Sequence, residues 1–214
     1  MKFKLGIYKI LSSIKGNKTH LIANKNSKLF IEGFPRSGNT YFCAAFEFFN
    51  PTVVYAHHVH NIFQLKAAKY YKLRGAIVVR NPEDCIKSLI IRRSDKNFSQ
   101  VIKNYINYHE FILKNIDSFF ICEFNELIEN PNNVFKSFNK YMKYEYFKEI
   151  DDGVNIKIKE SIKQLSLNDK VSHEIGFALP STSKELKKKQ IQLDKSLLDE
   201  AIKIHSNIIK TINK

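Results

Sequence analysis

The stretch Leu29-Phe30-Ile31-Glu32-Gly33-Phe34-Pro35-Arg36-Ser37-Gly38-Asn39-Thr40-Tyr41-Phe42 decides how this chain is read. An apolar run ends in a turn bounded by two glycines, and the turn opens onto a helix beginning near Gly38. Such a turn lines up successive backbone amides with the positive end of a helix dipole, which predicts a seat for a phosphate-like anion.

The interval from Gly33 to Gly38, followed by Thr40, is that of the phosphate loop G-x-x-x-x-G-K-[ST] with one change. Asn39 stands where the lysine belongs, and the cation is Arg36, three residues earlier. The anion is therefore expected to be held without a lysine at the usual place. On either side of this loop, strands are predicted over 28–34, 52–56, 76–80 and 118–124. Helices are predicted over 38–49, 61–71, 82–92, 98–115, 131–141 and 194–209. Asn81-Pro82 supplies a cap followed by proline at the first helical position. Ala76-Ile77-Val78-Val79 has the unbroken apolar character of a strand buried on both faces.

Strands alternating with helices predict an α/β fold: a single P-loop-like domain on a mainly parallel sheet of four to five strands flanked by helices, with a helical C-terminal part. The expected division is a basic helix and loop over 1–27, a cofactor-binding core over 28–142, and a helical acceptor-site and lid region over 143–214. In such sheets ligands lie beyond the carboxyl ends of the strands. The Arg36 loop, the segment His57-His58-Val59-His60 and Arg80 each follow a predicted strand, so they are expected along one edge.

The chain has 214 residues, 43% of them hydrophobic, with 17 Phe and 10 Tyr, enough for a sizeable core. Lys and Arg number 35 against 21 acidic residues, a formal charge of +14 that suits anionic partners. Residues 1–16 place Phe3, Ile7, Ile10, Leu11 and Ile14 at helical spacing among lysines; this helix either packs on its own domain or lies on a membrane. Cys43, Cys85 and Cys122 are odd in number and widely spaced, and read as reduced core thiols. No apolar run approaches the roughly 20 residues needed to span a bilayer. The expected setting is cytoplasmic, with peripheral contact at the inner membrane face as the variant.

Phe34-Pro35-Arg36-Ser37-Gly38-Asn39-Thr40-Tyr41-Phe42 resembles the 5′-phosphosulfate loop of sulfotransferases that use 3′-phosphoadenosine 5′-phosphosulfate (PAPS). Ala76-Ile77-Val78-Val79-Arg80-Asn81-Pro82-Glu83-Asp84, with Ser88 eight residues after Arg80, resembles that family's 3′-phosphate motif. Phe119 to Pro131 resembles its later "YEDL…NP" segment. The resemblance implies that Arg36 meets the 5′-phosphate and the bridging oxygen that leaves, and that Ser37, Gly38, Asn39 and Thr40 cradle phosphate and sulfuryl oxygens. It implies that Tyr41 contacts adenine, that Arg80 and Ser88 hold the 3′-phosphate, and that His58 is the general base. The reaction implied is sulfuryl transfer to an acceptor hydroxyl on a carbohydrate, lipid-linked glycan or small alcohol, with adenosine 3′,5′-bisphosphate (PAP) as product and no metal.

Three positions depart from the family pattern. Ala56 replaces the lysine two residues before the base, Cys122 replaces a tyrosine, and no Arg-Lys-Gly element appears near the C-terminus. Pro180-Ser181-Thr182-Ser183-Lys184 is the candidate substitute, and the run Lys184 to Lys189 reads either as a solvated helix face or as a segment that closes over the cofactor. His57 and His60 compete with His58 for the base role. If the extended backbone continues past 56, His58 and His60 share one face and His57 lies opposite. His-His-x-His is also a zinc-type arrangement, but no Cys, Asp or Glu follows at ligand spacing. Competing readings are a P-loop kinase, opposed by Asn39 and by Arg80 at a strand end, and a basic nucleic-acid-binding module, opposed by the lack of a recognisable motif.

Overall fold

The computed structural model describes residues 21–93, 97–167 and 182–212. The helix expected over 1–16 lies outside them, as do Pro180 and Ser181. Among the described residues the strands are β1 (Phe30–Gly33), β2 (Ala56–His57), β3 (Gly75–Val79) and β4 (Phe120–Glu123). The helices are α1 (Asn39–Phe49), α2 (Ile62–Tyr70), α3 (Pro82–Arg93), α4 (Phe98–Leu113), α5 (Phe124–Glu129), α6 (Pro131–Met142), α7 (Asp152–Leu167), α8 (Thr182–Gln190) and α9 (Lys195–Ile212). The sheet order is β2-β1-β3-β4, every pairing parallel. The architecture is α/β with helices on both faces and a helical C-terminal part.

Alternation along the two central strands assigns the layers. Phe30, Ile77 and Val79 point to one face, where α2, α3, α4 and α9 build a core around Ile86, Ile102 and Tyr105. Leu29, Ile31, Ala76 and Val78 point to the other, covered by α1, α6 and α7. There Phe42 meets Phe135, Phe138 and Phe147 edge to face at centroid distances of 5.2–5.6 Å. Each such buried ring contributes about 1.5–3 kcal/mol through burial alone. β1 and β3 are buried at every residue, which is why β3 reads as a continuous apolar run.

The predicted second strand is displaced. Residues 52–55 are β-branched and aromatic, yet only Ala56 and His57 stand in register with β1, opposite Phe30 and Ile31. This is an edge of the sheet, with Val54 58% exposed, so composition there had no second neighbour to pair with. A short helix, α5, follows β4 directly and was not foreseen; it begins at the Phe124 that turns out to line the site.

Candidate active site at the strand ends

The loop after β1 takes its shape from two left-handed residues, Arg36 at φ 73° and Gly38 at φ 98°. Glycine tolerates this region; arginine does so at a cost of about 1–3 kcal/mol that surrounding contacts must hold. Those contacts come from the neighbouring strand. Arg80, just past β3, donates from Nη1 to the Arg36 carbonyl at 3.1 Å, and Arg36 donates from Nε to Ser88 Oγ of α3 at 3.1 Å. Cys85 Sγ donates to the Pro35 carbonyl at 3.1 Å. The two predicted anion motifs are thus bonded directly to each other.

The N-terminus of α1 completes the seat. Its cap, Gly38, supplies no side-chain acceptor, and the first turn carries no acidic residue, so the helix dipole there is uncompensated from within. A Cβ at Gly38 would lie 2.5 Å from the Phe124 ring, so the loop runs against that ring with no room for a side chain. The same ring stacks under the Arg80 guanidinium at 4.1 Å. Arg80 Nε is buried with no hydrogen-bond partner among the described residues, a donor suited to an anion. Tyr105 of α4 donates from its hydroxyl to the Arg80 carbonyl at 2.8 Å and fixes the end of β3.

Two side chains of the loop make contacts within the protein. Ser37 is fully buried and its hydroxyl lies 3.5 Å from Cys85 Sγ. Asn39 spends its amide on the Gly33 and Phe34 carbonyls, both at 3.3 Å. In the place of the kinase lysine stands a buckle that closes the loop. Thr40 is half-buried at the first turn of α1. Tyr41 is 7% exposed, packed under α7 with its hydroxyl donating to Asn155 at 3.1 Å, and burial raises its pKa. Its ring is covered by protein where the resemblance had it meeting adenine.

The histidine segment departs from the extended form expected of it. His58 and His60 are both left-handed, at φ 53° and 55°, so side-chain alternation ends at His57. His57 and His58, expected on opposite faces, approach with Nδ1 atoms 2.7 Å apart. His60 turns toward the anion loop, with Nδ1 3.0 Å from the Gly33 carbonyl. A carbonyl only accepts, so Nδ1 is the donor in this bond, and in the neutral ring Nε2 then holds the lone pair. The organiser of this turn is Glu32, a fully buried carboxylate accepting from the Val59 amide at 2.8 Å and the His60 amide at 3.2 Å. Its Oε2 is also 3.4 Å from His60 Nδ1. Glu32 escaped sequence reasoning because it looks like a stray acid inside an apolar strand.

Beside the Arg80 motif, α8 lies against α3. Lys188 pairs with Asp84 at 3.2 Å, and a cavity of about 320 Å³ is lined by Asn81, Glu83, Asp84, Lys87, Glu185, Lys188 and Lys189. Of the run Lys184–Lys189, Lys188 and Lys189 lie beside the start of α3; the side chain of Lys184 itself lies outside the described residues.

No protein-family model matches this sequence, and no curated protein does. Among solved structures the chain is similar to mouse sulfotransferase SULT7A1 complexed with PAP, at 11% identity and a TM-score of 0.54, over 98% of this chain and 95% of that one. The chain has a sulfotransferase fold.

Proposed function

We propose that this protein is a sulfotransferase that takes its sulfuryl group from PAPS and delivers it to an acceptor hydroxyl. The observation that carries the reading is the Arg36–Ser88 and Arg36–Arg80 interlock, which puts two guanidiniums and a hydroxyl on adjacent strand ends. One nucleotide with phosphates at both its 3′ and 5′ positions has the charge pattern to use both. The fit is supported by the uncapped α1 terminus and the unpartnered Arg80 Nε.

The donor, when bound, supplies an activated sulfuryl group whose departure leaves charge on the 5′-phosphate. Arg36 and the amides of 38–40 neutralise that charge as it builds, without reorganising. Arg80 and Ser88 grip the 3′-phosphate and fix the register of the nucleotide. An imidazole of the His57–His60 segment takes the acceptor proton. The resemblance gives this role to His58; the geometry favours His60, whose Nε2 is the basic nitrogen and whose ring is oriented by Gly33 and Glu32. The acceptor we propose is a carbohydrate, lipid-linked glycan or small alcohol.

Ligand-dependent melting tests the reading. PAP at about 100 times its Kd should add about 2.7 kcal/mol of stability, a rise of roughly 5–10 °C for a chain of this size, without magnesium. ADP should give less. A response to ADP with magnesium and none to PAP would replace the sulfotransferase with a kinase.

A further inference from the structure

The side chains of Cys43, His57 and His58 each bring one ligand atom into a group whose members all lie within 4.8 Å of one another. We propose that Cys43, His57 and His58 form a binding site for one borderline-soft divalent transition ion of the zinc class. This goes beyond sulfuryl transfer, which uses none of the metal's chemistry; it occupies His57 and His58 and leaves His60 as the base.

The cluster is assembled by the fold. Cys43 sits in the first half of α1, which covers β1 and β2; His57 ends β2; His58 curls back toward it through its left-handed backbone. The sequence shows His-His-x-His with no fourth partner nearby, and the cysteine arrives from fourteen residues upstream of His57. Thiolate with two imidazoles is a donor set preferred by zinc, cobalt and copper over magnesium or calcium. The two Nδ1 atoms lie 2.7 Å apart, within hydrogen-bond reach of each other. A tetrahedral ion with metal–nitrogen bonds of about 2.0–2.1 Å needs them roughly 3.3 Å apart, a small opening at the turn after His57. As each nitrogen–metal bond forms, a proton on that Nδ1 moves to the Nε2 of the same ring, and the Cys43 thiol proton leaves to solvent as the sulfur–metal bond forms.

A second shell is present. The Tyr55 ring stacks on His57 at 4.3 Å and 13°, fixing that imidazole, and its hydroxyl donates to Glu47 at 2.6 Å. Glu32 holds the amides of Val59 and His60 on the other side. Two carboxylates flanking the cluster favour a cation in an otherwise basic protein. Three protein ligands leave a fourth position for water or a ligand atom. An ion there would stand beside His60, whose ring centroid is 5.4 Å from that of His58.

Cobalt(II) titration of the full, reduced chain tests this directly, with zinc as competitor. The expected result is one cobalt per chain with a thiolate-to-metal charge-transfer band, displaced by one equivalent of zinc. Cys43→Ala should abolish the band, and His57→Gln should weaken binding at least tenfold, while Cys122→Ala leaves both intact. Circular dichroism confirms that each variant folds, and PAP-induced melting shifts report the sulfotransferase reading independently. Absence of the sulfur band in the wild-type chain, or equal binding by Cys43→Ala, would overturn the proposal.

Discussion

At the scale of single residues, the site is governed by what each polar group is already bonded to. Arg36 accepts a left-handed backbone because Arg80, Ser88 and Cys85 hold it there. His60 is the imidazole bonded to the anion loop, whereas His58 is bonded to His57. His60→Ala is therefore expected to lower turnover by about 10²–10⁴ while PAP affinity changes by less than about threefold, measured as kcat alongside a PAP melting shift. A greater loss of turnover in His58→Ala would return the base role to that residue. The motif residues Arg36, Arg80 and Ser88 were legible because their spacing is fixed by the strand-to-helix turns they occupy. Glu32, Tyr105 and Phe124 were not, because each looks like ordinary core or strand composition until its partner is known.

Elements carry their own consequences, clearest where α4 meets α9. His109 of α4 is fully buried, stacked on Tyr105 at 3.8 Å, with Nδ1 donating to the Tyr105 carbonyl at 2.9 Å and Nε2 without a partner among the described residues. Burial, aided by the nearby His205, lowers its pKa to about 3, against the backbone bond that favours the charged form. The unfolded chain takes up this proton near pH 6.5 and the folded chain only near 3. Stability from neutral His109 is thus complete above pH 6.5 and is lost as pH falls from 6.5 toward 3. At pH 5.5 the loss is on the order of 1 kcal/mol. Urea midpoints at pH 7.5 and 5.5 should differ more in the wild type than in His109→Leu; equal differences would show that His109 does not control this limb. The start of α3 was legible where Asn81 precedes Pro82, and Asn81 Oδ1 accepts from the Asp84 amide at 3.3 Å. β2 was misplaced because an edge strand is set by its single neighbour, not by its own β-propensity.

Across the whole molecule, parallel topology makes one site out of two distant motifs. β1 and β3 are 44 residues apart at their site arginines yet adjacent in the sheet, so Arg80 reaches the Arg36 carbonyl. Arg80→Ala should then weaken PAP binding twice over, by removing a cation and by loosening the Arg36 loop. In a double-mutant cycle with Arg36→Ala, binding losses are expected to be non-additive by about 0.5–3 kcal/mol, read by calorimetry. Additive losses would mean the two guanidiniums act independently.

The amino-acid sequence by itself determined the α/β alternation, the buried central strands, the anion loop and its second cationic motif, since these depend on local periodicity and short fixed intervals. The tertiary structure alone decided which histidine faces the loop, that Tyr41 lies under α7, and that Cys43 joins His57 and His58. Those outcomes depend on left-handed backbone at two histidines and on the packing of α1 against the sheet edge. Neither leaves a spacing signature along the chain, because contacts between separate elements are fixed by the close-packing of the core rather than by distance in sequence.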